Sequence, residues 1–324
     1  MKKKIVFVII IVLAILAAGG IYYWIQYQSQ PTKIIFGAAQ KLSPDGFSTQ
    51  IIKLYGIDKK YGLDIDFAYN EPGLTSTKLL NRELDVAILA PISAAKANLD
   101  GKKVKIFGPL LWNVISLAVP KDSPYTNLAQ LKGKKFGILP QITGTYTNMA
   151  LLSSEMGLRL ESDYKLVIGS LEDQVKFLAN GDVDFAVVYE PRTSMLLATG
   201  QIREIATMDE LWKQLTGQRF LFNGFAAYDD WLASHQKEAK ALVKVFLEAN
   251  KFITENPDLI VKHKDLLGLT TPQELDIAQK RIPNLFPTEW NQAQIENFNT
   301  LIKMAVDAGQ VAKIPAEPVA IIVN

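Results

Sequence analysis

Beyond residue 32 the chain alternates two hydrophobic rhythms. Short runs rich in β-branched and aromatic residues fall at 33–38, 63–68, 85–89, 103–107 and 114–119. Between them, 46–61, 72–81 and 92–99 carry apolar residues at helical spacing, as with Phe47, Ile51, Leu54 and Tyr55. The pattern predicts strands for the first set and amphipathic helices for the second. It then starts again, with strands at 134–139, 164–168, 184–188 and 202–205 and helices at 143–156, 171–180 and 191–199. After a strand at 219–227 the rhythm turns helical, over 235–256, 272–281 and 289–308, and 316–324 reads as an extended tail. Strands and helices in alternation are the mark of an α/β protein.

The restart is visible residue by residue. Asp85-Val86-Ala87-Ile88-Leu89 matches Asp184-Phe185-Ala186-Val187-Val188, with Leu79 and Leu178 six residues ahead of each Asp. Upstream, Tyr61-Gly62-Leu63 corresponds to Met156-Gly157-Leu158. A repeat of this length is too long for a solenoid and predicts two lobes of one construction. The late helices are expected to return to the first lobe. That gives a discontinuous lobe I at 32–118 plus 222–324 and a lobe II at 119–221.

The first 31 residues differ. Lys2, Lys3 and Lys4 precede 5–25, a run with no charged residue. Twenty-one helical residues at about 1.5 Å each span roughly 30 Å, the thickness of a bilayer core. Tyr22, Tyr23, Trp24 and Tyr27 suit the outer interface, and the lysines the cytoplasmic side. The segment is predicted to be a transmembrane anchor, its rival being a signal peptide cleaved near the small residues of 14–18. Either exports the rest, to the outer face of the membrane or to a secreted or periplasmic pool. Residues 26–31 form a polar tether.

Charge changes little. Lys plus Arg is 35 against 33 Asp plus Glu, and without the three leader lysines 32 basic residues meet 33 acidic ones. No basic patch argues for nucleic acid. There is no Cys, hence no disulfide, thiolate metal site or thiol nucleophile, and only His235 and His263 offer imidazoles. A structural zinc site is not expected. Phosphate-loop, dinucleotide, nucleophile-elbow and zincin motifs do not occur.

Several stretches, in this order, resemble the solute-binding proteins of ABC importers, within the branch associated with nitrate, sulfonate, taurine and thiamine-pyrimidine uptake. They are Tyr55-Gly56-Ile57-Asp58-Lys59-Lys60-Tyr61-Gly62-Leu63-Asp64, Leu84-Asp85-Val86-Ala87 and the Leu131-Lys132-Gly133-Lys134 centre of 128–136. Gly181-Asp182-Val183-Asp184-Phe185-Ala186, Glu190-Pro191 and Asn256-Pro257-Asp258 complete the set. The resemblance covers about residues 33–310. It implies a two-lobed type II periplasmic-binding-protein fold with a central cleft and two crossovers. It also implies a small-molecule ligand, ABC permease and ATPase partners, no cofactor and no catalysis, in a monomer. Pyrimidine synthases that resemble the family use a Cys-rich iron motif, which a chain without Cys lacks. A receptor ectodomain is the third class, disfavoured by the very short segment ahead of the anchor.

Clefts at strand C-termini and helix N-termini bind small polar ligands, which selects the candidate site residues. Gln40 follows the first strand, as a ligand contact or a solvated loop residue. Thr143, Gly144, Thr145 and Tyr146 open the first helix of lobe II, where free N–H groups suit an anion; the rival is plain capping. Ser93 holds the equivalent place in lobe I. Tyr189 ends a strand and would stack on or hydrogen-bond a ligand. Glu190 would pair with an amine or cap the next helix, and Arg192 would clamp an oxyanion or make a surface pair. Trp112, Asn113 and Asn223 lie at the expected crossovers, with Trp112 as core residue the alternative. Helix N-termini and Arg192 favour a sulfonate, nitrate or carboxylate. Tyr146, Tyr189 and Trp112 favour an aromatic heterocycle.

Overall fold

The computed structural model describes residues 31–113 and 115–323. The anchor expected at 5–25 lies outside them. No helix among the described residues is long and apolar enough to cross a membrane.

Among the described residues, ten strands form two five-stranded sheets. The first sheet holds β1 (Thr32–Ala38), β2 (Leu63–Tyr69), β3 (Val86–Leu89), β4 (Val104–Trp112) and β10 (Leu221–Tyr228), in the order β2-β1-β3-β10-β4. The second holds β5 (Ile115–Pro120), β6 (Lys135–Ile138), β7 (Lys165–Ile168), β8 (Phe185–Tyr189) and β9 (Ile202–Thr207), in the order β7-β6-β8-β5-β9. In each, three parallel strands are followed by an antiparallel strand that arrives from the other half of the chain. The chain therefore crosses twice between the sheets, from Trp112 to Ile115 and again ahead of Leu221. Ile115–Pro120 lies wholly in the second sheet, so that sheet begins before the expected boundary at 118/119.

The helices follow the strands: α1 (Pro44–Leu54), α2 (Ile57–Lys60), α3 (Pro72–Leu80) and α4 (Pro91–Leu99) on the first sheet. On the second are α5 (Gly144–Glu155), α6 (Leu160–Asp163), α7 (Leu171–Asn180), α8 (Arg192–Thr199) and α9 (Met208–Thr216). Then come α10 (Asp229–Ser234), α11 (Gln236–Glu255), α12 (Asp258–Lys262), α13 (Pro272–Arg281) and α14 (Gln292–Asp307). The helix expected over 46–61 is two, because Gly56 takes φ 64° and turns the chain. Helix α9 was not expected, although Thr207 and Glu210 make a capping box at its start. Although the late helices follow a first-sheet strand in sequence, α13 packs on α8 beside the second sheet.

The duplication extends to side-chain roles. Asp85 accepts a hydrogen bond from the Ile35 amide at 2.9 Å, and Asp184 accepts one from the Lys135 amide at 2.8 Å. Each carboxylate thus ties its strand to the neighbouring parallel one. Thr75 Oγ1 donates to Ala38 O and Gln174 Nε2 to Ile138 O, both at 3.1 Å. Gly37 and Gly137 make room for these contacts. A Cβ on Gly37 would lie 2.9 Å from Thr75 Cγ2, and one on Gly137 would lie 2.3 Å from Gln174 Oε1. The buried rings Phe36, Phe225 and Phe246, with the half-buried Phe67, pack together in the first lobe, while Phe136 stacks on Phe185 at 4.0 Å in the second.

Candidate functional site

The C-terminal ends of the parallel strands of both sheets meet. Gly144, first residue of α5, lies against Ala90 at the start of α4, and a Cβ there would be 3.3 Å from the Ala90 Cβ and 4.0 Å from Phe222. Gly73 of α3 faces Ile142 in the loop before α5. The Arg192 guanidinium reaches the Leu42 carbonyl at 3.5 Å. Asp45 and Tyr189 sense one another electrostatically from opposite sides. The two lobes thus meet along a seam at these strand ends.

The structure brings Gln40, Gly144, Tyr189, Arg192 and Asn223 to this seam. Gln40 bonds Glu71, which stands at the N-cap position of α3 without a side-chain capping bond. Asn223 lies beside Ala90, since Gly224 pairs with Leu89 in antiparallel register. Its Oδ1 is buried without a partner. Tyr189 ends β8, and burial followed by the charge of Asp45 raises its phenol well above the ordinary value. It therefore stays protonated. Arg192 is held by Glu172, with Nε 3.0 Å from Oε2 and a second bond from Nη2 to Oε1.

Other candidates have occupations inside the protein. Thr143 caps α5, accepting from the Tyr146 amide at 3.3 Å and donating to Pro140 O at 2.7 Å. The Tyr146 hydroxyl donates to Glu161 at 2.7 Å, within the second lobe's own layer. Thr145 is buried in the first turn of α5, and Ser93 is half-buried in that of α4. Glu190 spends both oxygens, accepting from Ser194 Oγ at 2.7 Å and Arg281 Nε at 2.5 Å. Asn113 braces the first crossover: its amide donates to Phe220 O at 2.8 Å, and its Oδ1 accepts from Ile115 N at 2.9 Å. Trp112 lies under the Arg219 guanidinium, 4.7 Å from the ring centre, and lines a groove of about 280 Å³ with Thr254, Phe286 and Glu289.

Two groups escaped sequence reasoning. Arg281 at the end of α13 pairs with Glu190 and, through both terminal nitrogens at 2.7 Å, with Glu204 on β9. It pins the late helices to the second sheet. Asp45, in the first turn of α1, is 7 % exposed; its Oδ1 has no partner. Desolvation pushes its carboxyl up to about 7. An Asp after Pro44 reads as an ordinary first-turn acid; only burial sets it apart. Among the described residues no group of three or more His, Asp or Glu is placed to hold a metal ion.

Residues 58–260 match the family model described as NMT1/THI5 like. The chain belongs to this family. That bears out the resemblance read from its motifs. No curated protein matches the chain in sequence. Among solved structures, it is similar to the alkanesulfonate-binding protein SsuA from Xanthomonas axonopodis pv. citri bound to MOPS. The TM-score is 0.71 and the identity 16%, over 90% of this chain and 99% of that one. It is similar to the periplasmic aliphatic sulphonate binding protein SsuA from Escherichia coli, at TM-score 0.69 and 16% identity, over 88% and 96%. A third is the ligand-binding component of an ABC-type import system from Staphylococcus aureus with zinc bound, at TM-score 0.61 and 13% identity, over 86% and 92%. The fold of this family member is accordingly the α/β, two-sheet fold of periplasmic solute-binding proteins.

Proposed function

We propose that the chain is the extracytoplasmic solute-binding component of an ABC importer. It captures a small organic or oxyanion solute between the lobe built on the first sheet and the lobe built on the second, and delivers it to a membrane permease with its ATPase. Residues 5–25 hold it to the membrane. It acts as a monomer, by binding and hinged closure rather than by covalent chemistry.

One observation carries this reading. The strand C-termini of two sheets of one topology face each other, joined by two crossovers, with Gly144 and Ala90 at their meeting point. That edge is where α/β sheets bind ligands. The family membership and the import-system component from Staphylococcus aureus support the same direction. The test is thermal unfolding of the full chain in detergent against sulfonates, nitrate, carboxylates, amines and aminopyrimidines. A true ligand at 100 times its Kd adds about 2.7 kcal/mol of stability. Turnover of any bound compound would contradict the reading.

A further inference from the structure

Besides the two crossovers, a strap joins the sheets. The chain between α11 and α14 leaves the first sheet's layer, touches the second sheet and returns. On the way out, His263 bonds the Tyr55 hydroxyl at the end of α1 at 3.0 Å, and Lys262 donates to the same oxygen at 3.0 Å. On the way back, Thr254 and Asn250 donate to the Pro283 and Pro287 carbonyls at 3.1 and 2.8 Å. Both donors stand on α11, which packs on β4 and α1 in the first lobe. Helix α13 lies between these moorings, yet it packs on α8 of the second lobe.

Arg281 ends α13, two residues ahead of the mooring at Pro283, so its backbone is held with the first lobe. Its guanidinium is held by the second. Nε bonds Glu190, just past β8, at 2.5 Å, and Nη1 and Nη2 bond Glu204 on β9 at 2.7 Å each. Among the described residues Arg281 is the one cation paired with either carboxylate. The second lobe thus carries two acidic groups whose counter-charge comes from the first. Such a cluster stabilises only the arrangement in which the lobes meet, and shifts the population toward it. It is also able to part. The Arg281 and Glu204 side chains are 29 % and 21 % exposed, so water reaches both, and Glu190 keeps its bond from Ser194. A pair with this access to water loses less on separation than a fully buried one.

We propose that Arg281, Glu190 and Glu204 form an interlobe latch, made when the lobes meet at the seam and broken when they part. The solute-free chain then already populates the touching arrangement, and a solute has less closure to drive. The proposal rests on reading the two lobes as solute-binding halves that move.

The test is pulsed electron resonance on the full chain in detergent, spin-labelled at Lys96→Cys on α4 and Lys176→Cys on α7, with no solute probe added. The wild type is expected to show a short-distance component for the touching lobes. Arg281→Met is expected to reduce that component at least threefold. Lys105→Met is the control, because Lys105 pairs with Glu317 and the Pro318 carbonyl within the first lobe. It is expected to leave the distances unchanged. Should Arg281→Met fail to unfold cooperatively in urea, Glu204→Gln, which keeps the Glu190 pair, is read in its place with a reduction of at least 1.5-fold expected. An unchanged short component overturns the latch, and shows that α13 rides on the second lobe and flexes elsewhere, as at Gly268 with its φ of 69°. An equal loss in Lys105→Met overturns it too, as general destabilisation. Because no solute takes part, either failure leaves the solute-binding reading standing.

Discussion

At the scale of single residues, burial decides which charges matter. The Asp45 carboxyl is pushed up to about 7 by desolvation, against an ordinary value near 3.8. The folded protein therefore holds a proton that the unfolded chain releases above about pH 4. Stability from this group is full below that pH and is lost as pH rises to about 7, by roughly 4 kcal/mol in all. Asp45→Asn is expected to remove that slope, so that its urea midpoint exceeds the wild type's at pH 8 and matches it near pH 4. Parallel pH profiles for the two proteins would contradict this. Arg281 is the opposite case, a charge whose loss orphans the buried Glu190. Arg281→Ala is expected to cost about 2–3 kcal/mol in urea unfolding, at the low end for a buried pair because Arg281 keeps some access to water. An unchanged midpoint would show that the Glu190 and Glu204 pairs contribute nothing. Neither residue was legible in the sequence. Asp45 looks like a first-turn acid and Arg281 like the last-turn base of an exposed helix, and both are set by contacts distant in sequence. Arg192 and Glu190 stand out in the sequence, yet their partners Glu172 and Arg281 could not be read from spacing.

Elements were more legible, because local rules fix them. The helix ends at Gly62 and Gly157, the paired Asp85 and Asp184, and α13 over Pro272–Arg281 all follow from punctuation and periodicity. The departures are local too: Gly56 breaks one helix in two, and α9 begins at the Thr207–Glu210 capping box. The Asp85 and Asp184 bonds show why the repeat exists, since each locks the register of a parallel strand pair that no hairpin fixes. The crossover sheet is less forgiving. A Cβ on Gly224 would sit 2.4 Å from the Gly108 carbonyl oxygen, a backbone atom that cannot move aside. Gly224→Ala is expected to cost at least about 2 kcal/mol of stability, read as a lower urea midpoint. A midpoint within error of the wild type would mean that β10 and β4 pair more loosely than described.

For the whole molecule, the account rests on two lobes that swing shut on one solute. Gly144 sits where they touch, and the 3.3 Å approach to Ala90 leaves no room for a branched side chain. Gly144→Val is expected to weaken ligand binding about tenfold, because its side chain would crowd Ala90 where the lobes touch. Equal affinity would remove α5 from the site. Closure itself can be measured, since the chain has no native Cys and two introduced ones take spin labels alone. Lys96→Cys on α4 and Lys176→Cys on α7 place one label on each lobe, at exposed positions. The decisive measurement is the distance distribution between these labels by pulsed electron resonance, for the full chain in detergent with and without each saturating probe. The account predicts a broad distribution that collapses to a single shorter distance with the probe that binds. A distribution that no probe alters would contradict it.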